Sequence, residues 1–191
     1  KMTKEKYLKG KVALVTGAGS SGFGRIMAKR FASKGADLVL NDIVKEGLEE
    51  SKNLIQEEFD VEVKIIKSDI TDLDQVKNME KEVFDTFDNI YLLVNNAGID
   101  AGLYSSLKAK EEVFDNVMGV NVKGAWNMTK TFFRKMKRQR NFKPVRAKII
   151  NIASCAGTNN GLNPFIGIYS ASKAALIAFT KLWALELGPD D

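Results

Sequence analysis

Five strand-length apolar runs recur down the chain, each followed by a stretch of helical spacing, and that alternation constrains the fold more than any other feature. The runs are Lys11–Thr16 (KVALVT), Ala36–Asn41 (ADLVLN), Val61–Lys67 (VEVKIIK), Ile90–Asn95 (IYLLVN) and Ala147–Ala153 (AKIINIA). Runs so rich in Val, Ile and Leu suit strands covered on both faces, the condition of a parallel sheet. Phe23, Ile26, Met27, Arg30 and Phe31 repeat with helical period after the first run. Similar patterns follow around 45–58, 72–87 and 110–138, and an apolar helix opens at Tyr169. This order predicts an α/β fold: a doubly wound parallel sheet in three layers, with helices on both faces. The 191 residues give room for one such domain over 1–191, with a proper core, and not for two.

Composition narrows the chemistry. The chain has no histidine and one cysteine, Cys155. Ser/His and Cys/His nucleophile pairs and Cys/His zinc sites are therefore excluded, no metal is expected, and any acid–base group must be Tyr, Lys, Asp or Glu. One cysteine forms no intrachain disulfide, so a reducing compartment is acceptable. No stretch approaches the roughly 18 apolar residues of a membrane span, and the polar start KMTKEKYLKG is unlike a secretory leader. A soluble, cytoplasmic protein without a membrane partner is the expectation.

The net charge of +5 is local. Arg134, Lys135, Lys137, Arg138, Arg140, Lys143, Arg146 and Lys148 form an acid-free run of eight bases, leaving the remainder at −3. Such a run can bind nucleic acid or an acidic partner. With Phe142 its only aromatic, it reads better as a solvated helix end and loop, where cations suit the helix C-terminus. No nucleic-acid partner is expected.

A parallel sheet of this kind presents ligands at the carboxyl ends of its strands. After the first run come Thr16, Gly17, Ala18, Gly19, Ser20, Ser21, Gly22, Phe23 and Gly24, a strand-to-helix turn that includes GxGxxG at Gly17, Gly19 and Gly22. Glycines let backbone approach a pyrophosphate, and the helix N-terminus favours its charge. Asp42, an acidic residue about 20 positions on, ends the second run, where it holds ribose hydroxyls or is a solvated turn aspartate. With Asn95-Asn96-Ala97-Gly98 after the fourth run, these residues resemble the short-chain dehydrogenase/reductase family. The family's turn usually reads TGxxxGxG, whereas this one is TGxxxxGxG, one residue longer. The resemblance implies cofactor contacts from Thr16, Gly17, Gly19, Ser21, Gly22, Phe23, Gly24, Asp42, Asp69, Ile70, Asn96, Ala97 and Gly98. It implies NAD in preference to NADP, because a carboxylate at Asp42 repels a 2′-phosphate. Asp69 resembles the family aspartate beside the adenine ring, with a helix N-cap as its alternative.

Hydride removal from an alcohol requires a base for the hydroxyl proton. A tyrosine's ordinary pKa near 10 is too high, and a nearby ammonium lowers it. A lysine four residues after a tyrosine shares its helix face. That spacing occurs three times, at Tyr7/Lys11, Tyr104/Lys108 and Tyr169/Lys173. The first pair precedes the first run, at the wrong edge of the sheet. The second falls in a loop. The third opens a helix 15 residues after Ser154, which ends the fifth run, and it matches the family's Ser…YxxxK pattern. By resemblance, Tyr169 donates or accepts the proton, Ser154 bonds the carbonyl oxygen, and Lys173 holds the nicotinamide ribose and favours the phenolate. Tyr169 and Lys173 thus also touch cofactor. Asn121 matches the asparagine that kinks its helix and holds a water in the proton path; its alternative is a helix-surface amide. The Ser-to-Tyr interval exceeds that of many members, so Asn159–Ile168 is expected to enlarge the substrate wall.

The resemblance implies an NAD(P)-dependent oxidoreductase acting on a secondary alcohol or carbonyl compound: a sugar, polyol or 3-hydroxyacyl compound. The alternative is a catalytically inactive dinucleotide-binding regulatory or scaffold protein. A homodimer or homotetramer through helices 110–138 and 170–187 is expected, because Ala174–Leu187 is apolar around most of its circumference. The family's last strand and substrate-loop region are expected to be missing from these 191 residues.

Overall fold

In the computed structural model, which describes residues 6–100, 102, 105–139, 147–159, 161 and 163–188, the five runs form one parallel sheet in the order β3-β2-β1-β4-β5. The strands are β1 (Val12–Thr16), β2 (Asp37–Asp42), β3 (Val63–Lys67), β4 (Leu92–Asn95) and β5 (Lys148–Asn151). Each lies within two residues of its expected bounds. The α-helices are α1 (Phe23–Ala32), α2 (Lys45–Gln56), α3 (Leu73–Thr86), α4 (Glu111–Met118), α5 (Ala125–Arg138) and α6 (Gly167–Leu187).

Strand alternation divides the core into two layers. Ala13 and Val15 of β1, Leu38 and Leu40 of β2, and Leu92 and Val94 of β4 pack with Ala28, Ala32, Leu48 and Ile55 of α1 and α2. Val12, Leu14, Val39 and Leu93 point to the other face, onto Val76, Met79 and Val83 of α3 and Met128, Phe132 and Met136 of α5. The order of strands reverses direction at β1 and β4, so the crevice outside their carboxyl ends is where this topology places a ligand.

The helices refine the sequence pattern in three places. Phe23, Ile26, Met27, Arg30 and Phe31 lie on a helix as their period predicts, but Phe23 and Ile26 are 74% and 60% exposed. α1 instead buries Gly24, Ala28 and Ala32, because close approach to the sheet favours small residues over large ones. The 110–138 helix runs unbroken from Glu111 to Arg138, but between α4 and α5 it passes through a π-helical segment, Gly119–Gly124, which contains Asn121. Asp69 is not the cap of α3. Asp72 takes that place, accepting from the N–H groups of Asp74 and Gln75, which satisfies two of the donors a helix start leaves unpaired.

β5 bonds only β4 among the described residues, and its side chains alternate between exposed and half-buried. The two-sided burial expected of AKIINIA is therefore absent here. No helix among the described residues is long and apolar enough to cross a membrane. The basic run begins at the end of α5, where cations face the negative end of the helix dipole, and Lys135 pairs with Glu80 at 3.2 Å. Arg140, Phe142, Lys143 and Arg146 lie outside the described residues.

Candidate active site

A cleft of about 780 Å³ runs along the carboxyl edge of the sheet, from the glycine-rich turn to the start of α6. Gly17, Gly22, Phe23, Asp42, Asp69, Ile70, Asn96, Ala97, Gly98, Ser154, Tyr169 and Lys173 all line it. Thr16, Gly19, Ser21, Gly24 and Asn121 stand off its wall. The sequence pattern does not single out several lining residues, among them Ser20, Ile43, Ile99, Asp100 and Ile152, whereas Ile166 belongs to the expected substrate wall. Each lies within a few positions of a strand end or of Tyr169, so position in the topology was the only available signal.

The turn is anchored to β4. Thr16 is fully buried, and its Oγ1 accepts the N–H groups of Asn96 and Ala97, both at 3.0 Å. Asn96 Nδ2 donates to the Thr16 and Gly17 carbonyls at 2.8 and 3.2 Å. Gly17 adopts φ +68°, where a side chain is strained, and a Cβ there would lie 2.8 Å from Ala97 Cα. Gly24 is required by packing, since a Cβ would meet the Gly17 carbonyl oxygen at 2.2 Å. Thr16 and Gly24 thus shape the cleft from behind it.

Asp42 is half-buried and accepts three backbone N–H groups: Gly19 on Oδ2 at 2.9 Å, with Ile43 and Val44 on Oδ1 at 2.8 and 3.2 Å. Lys45, the nearest base in sequence, forms an ion pair with Glu49 at 3.4 Å. Asp69 Oδ1 accepts the N–H of Thr71 at 2.8 Å. Beside Asp69 on the wall, Ser68 Oγ is buried with no hydrogen-bond partner among the described residues.

At the far end, Lys173 is 4% exposed. Its Nζ donates to the Ile152 carbonyl at 2.7 Å and lies 5.7 Å from the centroid of the Tyr169 ring. Burial holds its ammonium below the usual lysine pKa. Ser154 Oγ accepts the N–H of Ala156 at 3.1 Å, an arrangement that leaves its own proton to be donated. Asn121, 1% exposed, is no surface amide. Its Oδ1 accepts Ile99 N–H at 2.8 Å, and its Nδ2 donates to Ile99 O and Ser172 Oγ, both at 2.9 Å. Ser172 Oγ in turn donates to the Tyr169 carbonyl at 2.7 Å. Gly98 admits this crowding: a Cβ on it would stand 3.2 Å from Asn121 Oδ1 and 3.3 Å from Lys173 Nζ.

Of the other YxxxK pairs, Lys11 Nζ donates to the Tyr7 carbonyl before β1, at the amino edge of the sheet, and Tyr104 lies outside the described residues. Within the expected substrate wall, Asn160 and Leu162 also lie outside them.

The residues fit a dinucleotide: a long cleft bounded by a glycine-rich turn, a carboxylate at the end of β2, an orphaned buried hydroxyl on the wall, and a buried ammonium at the far end. A model of the short chain dehydrogenase family matches residues 11–191. The chain belongs to this family. Like other short-chain dehydrogenases, it is an NAD(P)-dependent oxidoreductase acting on CH–OH groups. A 3-oxoacyl-[acyl-carrier-protein] reductase of Thermotoga maritima is 40% identical over 184 residues, 94% of this chain and 69% of the reductase. The NAD+-bound xylitol dehydrogenase superposes with a TM-score of 0.89 at 33% identity, over 97% of this chain and 68% of that one. A metagenomic short-chain oxidoreductase in complex with NADP gives 0.85 at 29% identity, over 96% and 79%. The chain thus spans about two thirds or more of these relatives' lengths. Structural neighbours bind either cofactor, so family membership does not decide between NAD and NADP.

Proposed function

We propose that the cleft binds NAD in preference to NADP and that Tyr169 exchanges the proton of a secondary alcohol or its carbonyl product. The observation that carries this reading is Lys173 buried at the end of the cleft, with Tyr169 and Ser154 on the same wall. The turn Gly17–Phe23 would hold the pyrophosphate, Asp42 the adenosine ribose, Asp69 and Ile70 the adenine, and Lys173 the nicotinamide ribose. The nicotinamide, when bound, supplies or takes the hydride. Ser154 donates a hydrogen bond to the substrate oxygen and keeps its proton, while Tyr169 takes the substrate's hydroxyl proton in oxidation and returns it in reduction. Asn121 fixes Ile99 at the cleft and, through Ser172, the backbone of Tyr169. Sugars, polyols and 3-hydroxyacyl compounds remain the substrate class, and the intact Ser154, Tyr169 and Lys173 weigh against an inactive scaffold. The test is NADH production from NAD+ across a panel of polyols, sugar alcohols and 3-hydroxyacyl thioesters; no turnover on any, in either direction, would turn the reading toward the scaffold.

Cofactor choice supplies a sharper test. Like charges about 4 Å apart at an effective dielectric of about 20 repel by roughly 4 kcal/mol before screening, and the base nearest Asp42 in sequence is engaged by Glu49. A preference for NAD of about 10²-fold in kcat/KM, near 2.7 kcal/mol, is expected. Asp42→Asn is the apt variant, since it removes the charge, and its Oδ1 still accepts the Ile43 and Val44 N–H groups while the bond from Gly19 N–H is lost. It should narrow the gap, chiefly by improving NADP. Equal use of both cofactors by the unaltered protein overturns this role for Asp42.

The same proposal extends to assembly. Leu182 and Leu185 of α6 are 50% and 76% exposed, and Phe114 of α4 is 48% exposed. Such surface on helices that a two-fold axis could pair supports a homodimer or homotetramer through 110–138 and 170–187. Light scattering at micromolar concentration should give a mass at least twice the chain's; a pure monomer counts against it.

A further inference from the structure

The glycine-rich turn is one residue longer than the usual family spacing, and α1 and α2 hold the added backbone by contacts that no sequence motif marks. Ser51, fully buried on α2, donates from Oγ to the Ala18 carbonyl at 2.6 Å. Arg25 of α1 donates from Nε to Ser51 Oγ at 2.8 Å, and its Nη2 reaches the Gly19 and Gly47 carbonyls, both at 3.4 Å, and Glu50 Oε2 at 2.8 Å. The Arg25 side chain is 13% exposed. Gly47 lets α2 come this close, because a Cβ there would lie 1.9 Å from the Gly19 carbonyl oxygen.

Peptide planarity gives these contacts a directional consequence. In a trans peptide the C=O of one residue and the N–H of the next point in opposite directions. Ser51 draws the Ala18 carbonyl toward α2, and the Gly19 N–H on the far side of that peptide meets Asp42 Oδ2. Arg25 draws the Gly19 carbonyl the same way, so the Ser20 N–H turns from α2, and Ser20 lines the cleft. A turn that binds a pyrophosphate must aim N–H groups at it and its carbonyls elsewhere. We propose that Ser51 and Arg25 are positioning residues that orient the lengthened turn for the dinucleotide, a role resting on the reading of this cleft as a dinucleotide site. Arg25 acts as a forked donor between two carbonyls and a hydroxyl. Its ion pair with Glu50, whose side chain is 61% exposed, contributes little beside that.

The test compares Ser51→Ala and Arg25→Met with the unaltered protein by NADH affinity, by KM for NAD+ and kcat with an alcohol that supports turnover, and by amide hydrogen exchange at 18–22 without dinucleotide. Each variant should raise the NADH dissociation constant and KM about tenfold, the equivalent of about one hydrogen bond. kcat should stay within about twofold, and the turn should exchange about tenfold faster. A purely structural role would lower the melting temperature without this split between KM and kcat. Should Ser51→Ala not fold, Arg25→Lys carries the same expectation, since it keeps the charge and loses the fork. Folded variants with unchanged NADH affinity and unchanged exchange at 18–22 overturn the proposal. An unaltered protein that binds neither NADH nor NADPH instead removes the dinucleotide reading, and this role with it.

Discussion

Replacing Tyr169 by phenylalanine should lower turnover by about 10²–10⁴-fold, the range a positioned acid–base group contributes, while NADH affinity changes by no more than a few-fold. The substitution deletes one oxygen from a half-buried ring on the cleft wall and leaves the ring's volume. The anchors around the ring persist: Ser172 bonds the backbone carbonyl of residue 169 and not its phenol, and Lys173 keeps its bond to Ile152 O. A loss confined to kcat is therefore what a missing proton acceptor predicts, because the proton of the substrate hydroxyl then has no side-chain destination. Ser154→Ala should act less severely, since one hydrogen bond to the substrate oxygen is lost and the proton route remains. Measured by kcat and by NADH titration of the same preparations, turnover within tenfold of the unaltered protein would remove Tyr169 from the chemistry and redirect attention to Tyr104.

The sheet was legible because its strands are buried on both faces, so that KVALVT, ADLVLN and IYLLVN show as apolar runs whatever their register. The candidate cleft was legible where a residue type recurs at a topological position: glycine after β1, a carboxylate after β2, and the tyrosine–lysine pair at the start of α6 all line it. Helix faces were read less well. Phe23 and Ile26 have the right period but are largely exposed, since glycine and alanine meet the sheet on α1 and a hydrophobicity pattern gives small residues little weight. The π-helical turn between α4 and α5 does not show in the apolar pattern; the glycines at 119 and 124, and the helix kink that the match at Asn121 implies, are what hint at it. A Cβ on Gly124 would stand 2.5 Å from Ile70 Cδ1, a constraint between residues 54 positions apart. Ser51 and Gly47 escaped for the same reason: their significance lies in the carbonyls of Ala18 and Gly19, about 30 positions away and across a strand.

Lys173→Met should separate stability from catalysis. In the folded chain the ammonium is buried, and desolvation lowers its pKa below the ordinary 10.5. Between the lowered folded value and 10.5 the unfolded chain binds more protons than the native one, so this lysine's contribution makes stability rise with pH across that window. Below it, the cost of a buried charge is fully present. Methionine removes that cost and fills similar volume, but it forfeits the 2.7 Å bond to Ile152 O. The two effects oppose, and at neutral pH the melting temperature should move by no more than about 3 °C, roughly 1 kcal/mol for a chain of this length. Activity should not be spared. The variant loses both a charged donor for the ribose and the cation that stabilises negative charge on the phenolic oxygen during proton transfer. Charged hydrogen bonds are individually worth about 1.5–3 kcal/mol; with the electrostatic loss, kcat/KM should fall about 10²–10³-fold. In the unaltered protein, activity that requires the ammonium must decline as pH rises through the folded pKa, on the alkaline side and earlier than an ordinary lysine would dictate. Thermal melts and kcat/KM profiles from neutral to alkaline pH check both halves. A variant with unchanged melting temperature and kcat/KM within tenfold would show that the buried ammonium serves neither cofactor nor proton transfer.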